Sequence, residues 1–511
     1  MKRSKIIHLI ALFFLLSGLS VSGQSLQELT KSFENPQELK NDYDDFRGLH
    51  QKELDTFQKQ NRHEYEKNRR QTQKEFGEYL KQNWQDYKLM QGEAFPEIPE
   101  PKKQPIAQPE TFNNLIQLPG NYVEKRPAMP QQQNLPLPIP ISNNALSIYN
   151  QTNVSFFGSK IIIPYDPKFA VKLRSTKETD IGDFWIKLAD ADFLYLIDSC
   201  RVVKEALCLN DWGYYLLAQA VAKRIYPARS TENERTVLTA FLLDEAGYEV
   251  RIVRDHSNGN LELMSVFKSN LYNTSFFEEK GKRYYMLGKS NSSKWISSYI
   301  PRATEEKQRI DLKIIQPLKL KNNLGTFIIS ENIIGIPLKI TYNRNAIDFY
   351  NTIPVTDLEV YFNSRGSMAV QQSFDQVLKP VVAKLSEKDA AATLLRIMHH
   401  AFKYKTDQEQ FGYERPFFFE ELFSYPYNNC KDRSVLYAFL INQLVGLPVV
   451  GLKYPGHVAT AVKFNEHVDG NFIEIGKEPF IICDPTFPNA NVGQSRTDFV
   501  NVRAVPVFIH L

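Results

Sequence analysis

Three short stretches toward the end of the chain hold residues able to carry out acyl chemistry: NCKDRS with Cys430, PGHVATAV with His457 and ICDPTF with Asp484. A thiol becomes a useful nucleophile when its thiolate is favoured, a base stands beside it and a third group orients that base. Each stretch offers one of these parts. Cys430 falls in or next to the first turn of an expected helix, where unpaired N–H groups and the helix dipole favour a thiolate. His457 opens the second of two expected strands joined at Tyr454-Pro455-Gly456. Asp484 ends the apolar strand FIIC just before Pro485, where it can accept the second N–H of an imidazole. Each residue also has a blander reading: a buried small apolar group, a solvated strand end, a turn residue before proline.

The elements that must position them are legible in outline. Asn428 or Asn429 can cap the cysteine helix, and Val435, Leu436, Phe439, Leu440 and Leu444 make its apolar face. Gly446 and Pro448 mark its end. A nucleophile at a helix start, a base on the next strand pair and a carboxylate at the following strand end form one ordered arrangement. From roughly Asp389 onward the chain resembles the transglutaminase-like branch of the papain-fold cysteine enzymes. That resemblance implies an α+β fold in which the helix carrying Cys430 packs on an antiparallel sheet. It also implies Cys430 as nucleophile, His457 as general base and acid, and Asp484 as orienting group. The departure is Asn429, where relatives often carry Asp or a small residue before the cysteine.

The same pattern occurs earlier in degenerate form, at an offset near two hundred residues. Trp212-Gly213-Tyr214 matches Phe411-Gly412-Tyr413, Tyr226-Pro227 matches Tyr425-Pro426, and Glu234-Arg235-Thr236-Val237-Leu238 matches Asp432-Arg433-Ser434-Val435-Leu436. A duplicated domain is expected, each copy led by β-rich sequence. Alignment sets Glu232 opposite Cys430, Asn260 opposite His457 and Gly288 opposite Asp484, so the triad belongs to the second copy alone. Gln410, opposite Asp211, becomes a candidate oxyanion-hole side chain beside the Cys430 N–H.

The remainder sets the context. Residues 1–23 have the layout of a cleavable secretory signal, which places the mature chain in the periplasm or outside the cell with no stable membrane span. Residues 24–92 read as a charged helical arm with an aromatic seam that includes Phe76, Leu80, Trp84 and Tyr87, suited to a helical pair or an oligomer. Residues 93–141 read as a Pro-rich linker. Residues 142–300 then hold the degenerate copy with its lead-in, 301–385 a β-rich segment including DLEVYF, and 386–511 the catalytic domain. Cys200, Cys208, Cys430 and Cys483 are too few for a disulfide framework. A net charge of +4 with both signs interspersed is uninformative about partners, and no basic run with interleaved aromatics suggests nucleic-acid binding, so no nucleic-acid partner is expected. His399-His400 point to different faces of a helix, His467 sits in a turn, and no motif implies a metal or other cofactor. The expectation is an exported cysteine peptidase or amidase acting through an acyl-enzyme on a peptide, protein or peptidoglycan-type amide. Protein-glutamine transamidation is the rival chemistry, and a non-catalytic binding scaffold is the rival class.

Overall fold

The computed structural model describes residues 64–96, 107, 149–288, 294–301, 306–329, 333 and 337–510. The expected signal segment, most of the arm and most of the linker lie outside them. Of the unit 1–72, the described residues 64–72 are helical. Residues 73–511 form a second unit, in which one apolar core runs from Leu80 to Val492.

Within that second unit the helical path ends at residue 80, and Asn83 takes a positive φ of 64°. The chain then becomes strand β1 (Trp84–Lys88), which pairs antiparallel with β8 (Trp295–Tyr299). The seam expected to run helically through Phe76, Leu80, Trp84 and Tyr87 therefore changes period half-way. From Tyr87 the buried residues alternate, with Tyr87 and Leu89 inside and Lys88 outside, which is the two-residue repeat of a strand.

This strand completes a six-stranded sheet in the order β1-β8-β4-β5-β7-β6, with β4 at Val250–Asp255, β5 at Leu261–Val266, β6 at Phe276–Glu279 and β7 at Lys282–Met286. A bridge from Met90 to Phe276 brings the first and last strands together, so the sheet is a near-closed barrel. Its interior is filled by Tyr87, Val253, Met264, Phe277, Tyr284 and Ile296 among others. Ahead of the sheet come the hairpin β2 (Asn150–Phe156) and β3 (Ser159–Tyr165), then helices α1 (Glu178–Asp190), α2 (Phe193–Ala206), α3 (Asp211–Ile225) and α4 (Glu232–Glu245).

The 301–385 region is less β-rich than its sequence suggests. Among the described residues of this region, the named strands are those of the hairpin β9 (Leu324–Ile329) and β10 (Leu338–Asn343). Helices α5 (Arg344–Tyr350), α6 (Leu358–Phe362), α7 (Met368–Val377) and α8 (Lys379–Val382) follow. The segment expected as a strand, DLEVYF, is α6. Its Leu358, Val360, Tyr361 and Phe362 are all buried, so burial outweighs the β-propensity of Val, Tyr and Phe. Side-chain caps from Asn343 and Ser367 start α5 and α7.

Helix α9 (Glu387–Ala401), capped by Ser386, leads into the last third. A short parallel pair, β11 (Lys403–Tyr404) and β12 (Tyr427–Asn428), brackets helix α10 (Asp407–Phe411). Helix α11 (Cys430–Leu440) follows, continues as one π-turn through Ile441–Val445, and stops at Gly446, whose φ of 79° suits glycine. The closing half-barrel has five antiparallel strands: β13 (Val449–Tyr454), β14 (His457–Val462), β15 (Phe472–Ile475), β16 (Glu478–Cys483) and β17 (Val505–Phe508). Its order is β15-β16-β14-β13-β17. Reversed, that is β17-β13-β14-β16-β15, the same chain path as β8-β4-β5-β7-β6 in the barrel. The overall class is α+β. Among the described residues no helix is long and apolar enough to cross a membrane.

Candidate active site

Cys430 is the first residue of α11, and Asn429 is its cap. The Asn429 carboxamide oxygen accepts from the Lys431 N–H at 3.0 Å, while Asp432 accepts from the Asn429 N–H at 3.0 Å. The other end of the carboxamide is also used: Asn429 Nδ2 donates to Asp407 Oδ1 at 2.8 Å. Asp432 also accepts from the Phe417 N–H at 3.0 Å. Lys431, fully buried, pairs with Glu414 at 2.7 Å and Asp407 at 3.3 Å. Burial and the neighbouring Asp407 push Asp432 well above the usual carboxylate range, with Lys431 acting against them. Burial raises Asp407 as well. The start of the cysteine helix is thus locked by a dry, hydrogen-bonded polar cluster.

One turn on, the Ser434 hydroxyl donates to the Val458 carbonyl at 3.0 Å. This pins the early part of α11 to Val458, the strand residue that follows His457. His457 pairs with Tyr454 across the β13–β14 turn, which Gly456 makes with a φ of 77°. Its ring stacks on Phe499, with centroids 5.1 Å apart and planes 9° from parallel.

His457 Nε2 lies 2.7 Å from Asp484 Oδ2, just past the end of β16. The other carboxylate oxygen, Oδ1, accepts from the Thr486 N–H at 2.9 Å and from its hydroxyl at 3.1 Å. Burial works to raise Asp484, but His457 and the Thr486 donors outweigh it and hold the carboxyl below its ordinary range. An ionised carboxylate only accepts, so Nε2 carries a proton, and in the neutral ring the lone pair lies on Nδ1. That is the tautomer a base requires for removing a proton from a thiol.

Two residues that sequence reasoning passed over belong to this site. His399, near the end of α9, donates from Nε2 to the Asp484 carbonyl oxygen at 2.9 Å. Burial pushes its pKa down to about 4, so it is neutral near pH 7. The available signal was its place on the buried stripe of α9 with Ala391, Leu395 and Met398. Arg433, also buried, donates to Asn428 Oδ1 and to the carbonyls of Met398 and Phe402 at 2.7, 3.1 and 3.0 Å. Burial lowers it to about 10, while the charges of Cys430 and Asp484 act in the opposite direction. It remains a cation, three residues from the sulfur.

Cys430, His457 and Asp484 are only 1, 2 and 2 % exposed. Gln410 stands on α10, which Asp407 ties to Asn429 and Lys431, but its Oε1 is buried with no partner among the described residues. Cys483 is buried beside Asp484, and burial pushes its thiol up to about 12. His467 is exposed and pairs with Asp469 two residues on.

The structure revises the internal alignment upstream of the cysteine helix. Arg235 of α4 donates to the carbonyls of Tyr226, Pro227 and Ala228, at the end of α3. Arg433 of α11 serves the end of α9 in the same way. On these contacts α3 answers to α9, and residues 403–429 have no counterpart before α4. Gly213 lies inside a helix whereas Gly412 ends one with a φ of 78°, so the aromatic-Gly-Tyr match is not structural. Asp211 opens α3 and has no counterpart relation to Gln410.

Downstream the aligned residues take like places in their elements. Glu232 and Cys430 each open their helix. Val250 pairs with Ser265 as Val449 pairs with Val462; five residues back along β5 and β14 stand Asn260 and His457. Met264 pairs with Met286 as Ala461 pairs with Ile482, and two residues on stand Gly288 and Asp484. Comparisons with protein-family models, with curated proteins and with solved structures found no match.

Proposed function

We propose that this chain is an exported thiol-dependent amide hydrolase of the transglutaminase-like, papain-type class, its second half catalytic and its first half a degenerate copy. The supporting observation is the 2.7 Å His457–Asp484 bond, next to a helix that opens on Cys430 and is tied by Ser434 to Val458. The shared strand order of the two sheets supports the duplication. In this reading the Cys430 thiol gives its proton to His457 Nδ1, and Sγ attacks the amide carbonyl carbon. The imidazolium then protonates the leaving amine as the C–N bond breaks, which leaves a thioester on Cys430. Water, deprotonated by the same imidazole, attacks the thioester and releases a carboxylic acid and the thiol. Arg433 and the first-turn N–H groups favour the thiolate. Peptides are the substrate class that an exported enzyme of this kind meets in the periplasm or outside the cell.

The near-complete burial of the triad favours a second reading, a binding scaffold that keeps the constellation without using it. One measurement separates the two: the alkylation rate of Cys430 against pH, in the unaltered chain and in His457→Ala. An enzyme shows rapid labelling well below the ordinary thiol pKa of about 8.5, lost in the variant. Slow labelling with an ordinary pKa in both chains overturns the enzymatic reading.

A further inference from the structure

Two of the three positions in the first half that correspond to the triad line an open cleft. It encloses about 620 Å³, and its lining includes Glu232, Asn260 and Leu287. Two of these occupy the places of Cys430 and His457, and Leu287 adjoins Gly288, the counterpart of Asp484. Lys223 also lines the cleft, two residues before the end of α3, as His399 stands two before the end of α9. The substitutions remove every group needed for acyl transfer, yet the space persists. Its volume lies within the roughly 300–1,000 Å³ of small-ligand sites.

The chemistry of the walls identifies an occupant. The base is apolar, with Leu216, Ala220, Leu261 and Leu263. Amide side chains surround it. Asn233 spends its Oδ1 on the Leu261 N–H at 2.8 Å, which leaves its NH₂ to donate, and Gln219 spends its Nε2 on the Tyr215 hydroxyl at 2.7 Å, which leaves its oxygen to accept. The Glu232 charge is met by Arg235. Lys223 is exposed, and no carboxylate among the described residues pairs with it. Beside the Glu232–Arg235 ion pair and the Glu262 carboxylate, the cleft offers three features: an apolar base, amide donors and acceptors, and the exposed Lys223 cation. A short peptide matches all three, with a side chain on the base, main-chain amides against the amide walls and the terminal carboxylate at Lys223.

We propose that the first half is a non-catalytic binding site for short peptides with a free C-terminal carboxylate. A peptidase acting in the second half generates such a carboxylate with each turnover, so the site suits retention of product or of a neighbouring strand end. The substrate class is shared with the reading of the second half, but the binding itself needs no active thiol.

The test uses the full chain carrying Cys430→Ala, so that nothing is turned over. Calorimetric titration compares Ala-Leu-Ala as the free acid with the same peptide as its C-terminal amide. The acid is expected to bind one to one, with the amide roughly tenfold weaker for loss of the charge pair. Lys223→Ala removes that discrimination, and being an exposed position it keeps the fold. Ala220→Trp fills the cleft and abolishes binding. In chains with Cys430 intact, both variants leave its alkylation rate unchanged. Equal affinity for acid and amide, binding that survives Ala220→Trp in a folded chain, or no heat at millimolar peptide overturns the proposal. An unreactive Cys430 with intact peptide binding overturns the enzymatic reading only.

Discussion

His399 holds the backbone of the residue whose side chain holds His457: its Nε2 donates to the Asp484 carbonyl at 2.9 Å, while Asp484 Oδ2 meets His457 Nε2 at 2.7 Å. Helix α9 therefore braces the strand end that carries the carboxylate bonded to His457. His399 Nδ1 has no partner among the described residues, so the ring sits as a neutral group in a dry setting.

That neutrality has a pH consequence. In the unfolded chain this imidazole takes a proton near 6.5, whereas in the folded chain burial delays protonation to about 4. The unfolded state binds more protons between these values, so stability is full above 6.5 and falls as pH drops toward 4. The window corresponds to a loss on the order of 3 kcal/mol. His399→Gln, whose amide nitrogen can still reach the Asp484 carbonyl, should flatten this part of the stability profile in urea titrations. An unchanged slope would show that other groups carry it.

Asn429 is chosen against aspartate by its surroundings. Its Nδ2 faces Asp407 Oδ1 at 2.8 Å, so a carboxylate at 429 would keep the cap and set two buried acids against each other. Asn429→Asp should lower the urea midpoint at neutral pH, and Asp407→Asn should restore most of the loss in the double variant. Asn429→Ala, which removes the cap and strips Asp407 of a donor, is expected to cost about 2–4 kcal/mol. Additive effects of the Asp and Asn changes would mean that the two side chains do not sense each other.

Access to the thiol is expected to run past Phe499. This ring lies flat on His457 and carries the Arg496 guanidinium 4.8 Å above it, on a half-exposed 3₁₀ turn, Thr497–Phe499. Phe499→Ala should raise the alkylation rate of Cys430 severalfold with little change in thermal midpoint, because the ring is only partly buried. If the rate is unaltered, the reagent enters by another route.

The cysteine helix, its cap, the glycine stop and the His and Asp strands were legible because each rests on local chemistry: a capping amide, a 3.6-residue stripe, a Tyr-Pro-Gly turn, an apolar run before Asp-Pro. The strand at Trp84 was not legible, since a short aromatic seam fits a helix until a partner strand such as Trp295–Tyr299 is known. The segment 301–385 reads as β-rich in sequence, whereas its helices from Arg344 to Val382 are set by burial against the common core. The aromatic-Gly-Tyr likeness concealed that residues 403–429 have no counterpart before α4. Only the carbonyl partners of Arg235 and Arg433, long-range contacts invisible in a pattern, reveal which helices correspond.

The most direct challenge to the site is Asp484→Asn. The backbone N–H of Thr486 points at Oδ1 from 2.9 Å and cannot reverse its role. The new carboxamide must therefore set its oxygen there and its NH₂ toward His457. That group donates to Nε2, which forces the ring proton onto Nδ1 and leaves no lone pair for the thiol. The variant should stay folded, with the shape and hydrogen bonds of the strand end preserved. It should lose rapid alkylation of Cys430 near neutral pH to the level of His457→Ala, and turnover by a factor on the order of 10⁴. In the unaltered chain the carboxyl is held below its ordinary range, so no step in the labelling profile between pH 5 and 9 should belong to Asp484. A folded Asp484→Asn chain that labels as fast as the unaltered one would show that the carboxylate orients nothing, and that the activation of Cys430 must come from Arg433 and the helix start alone.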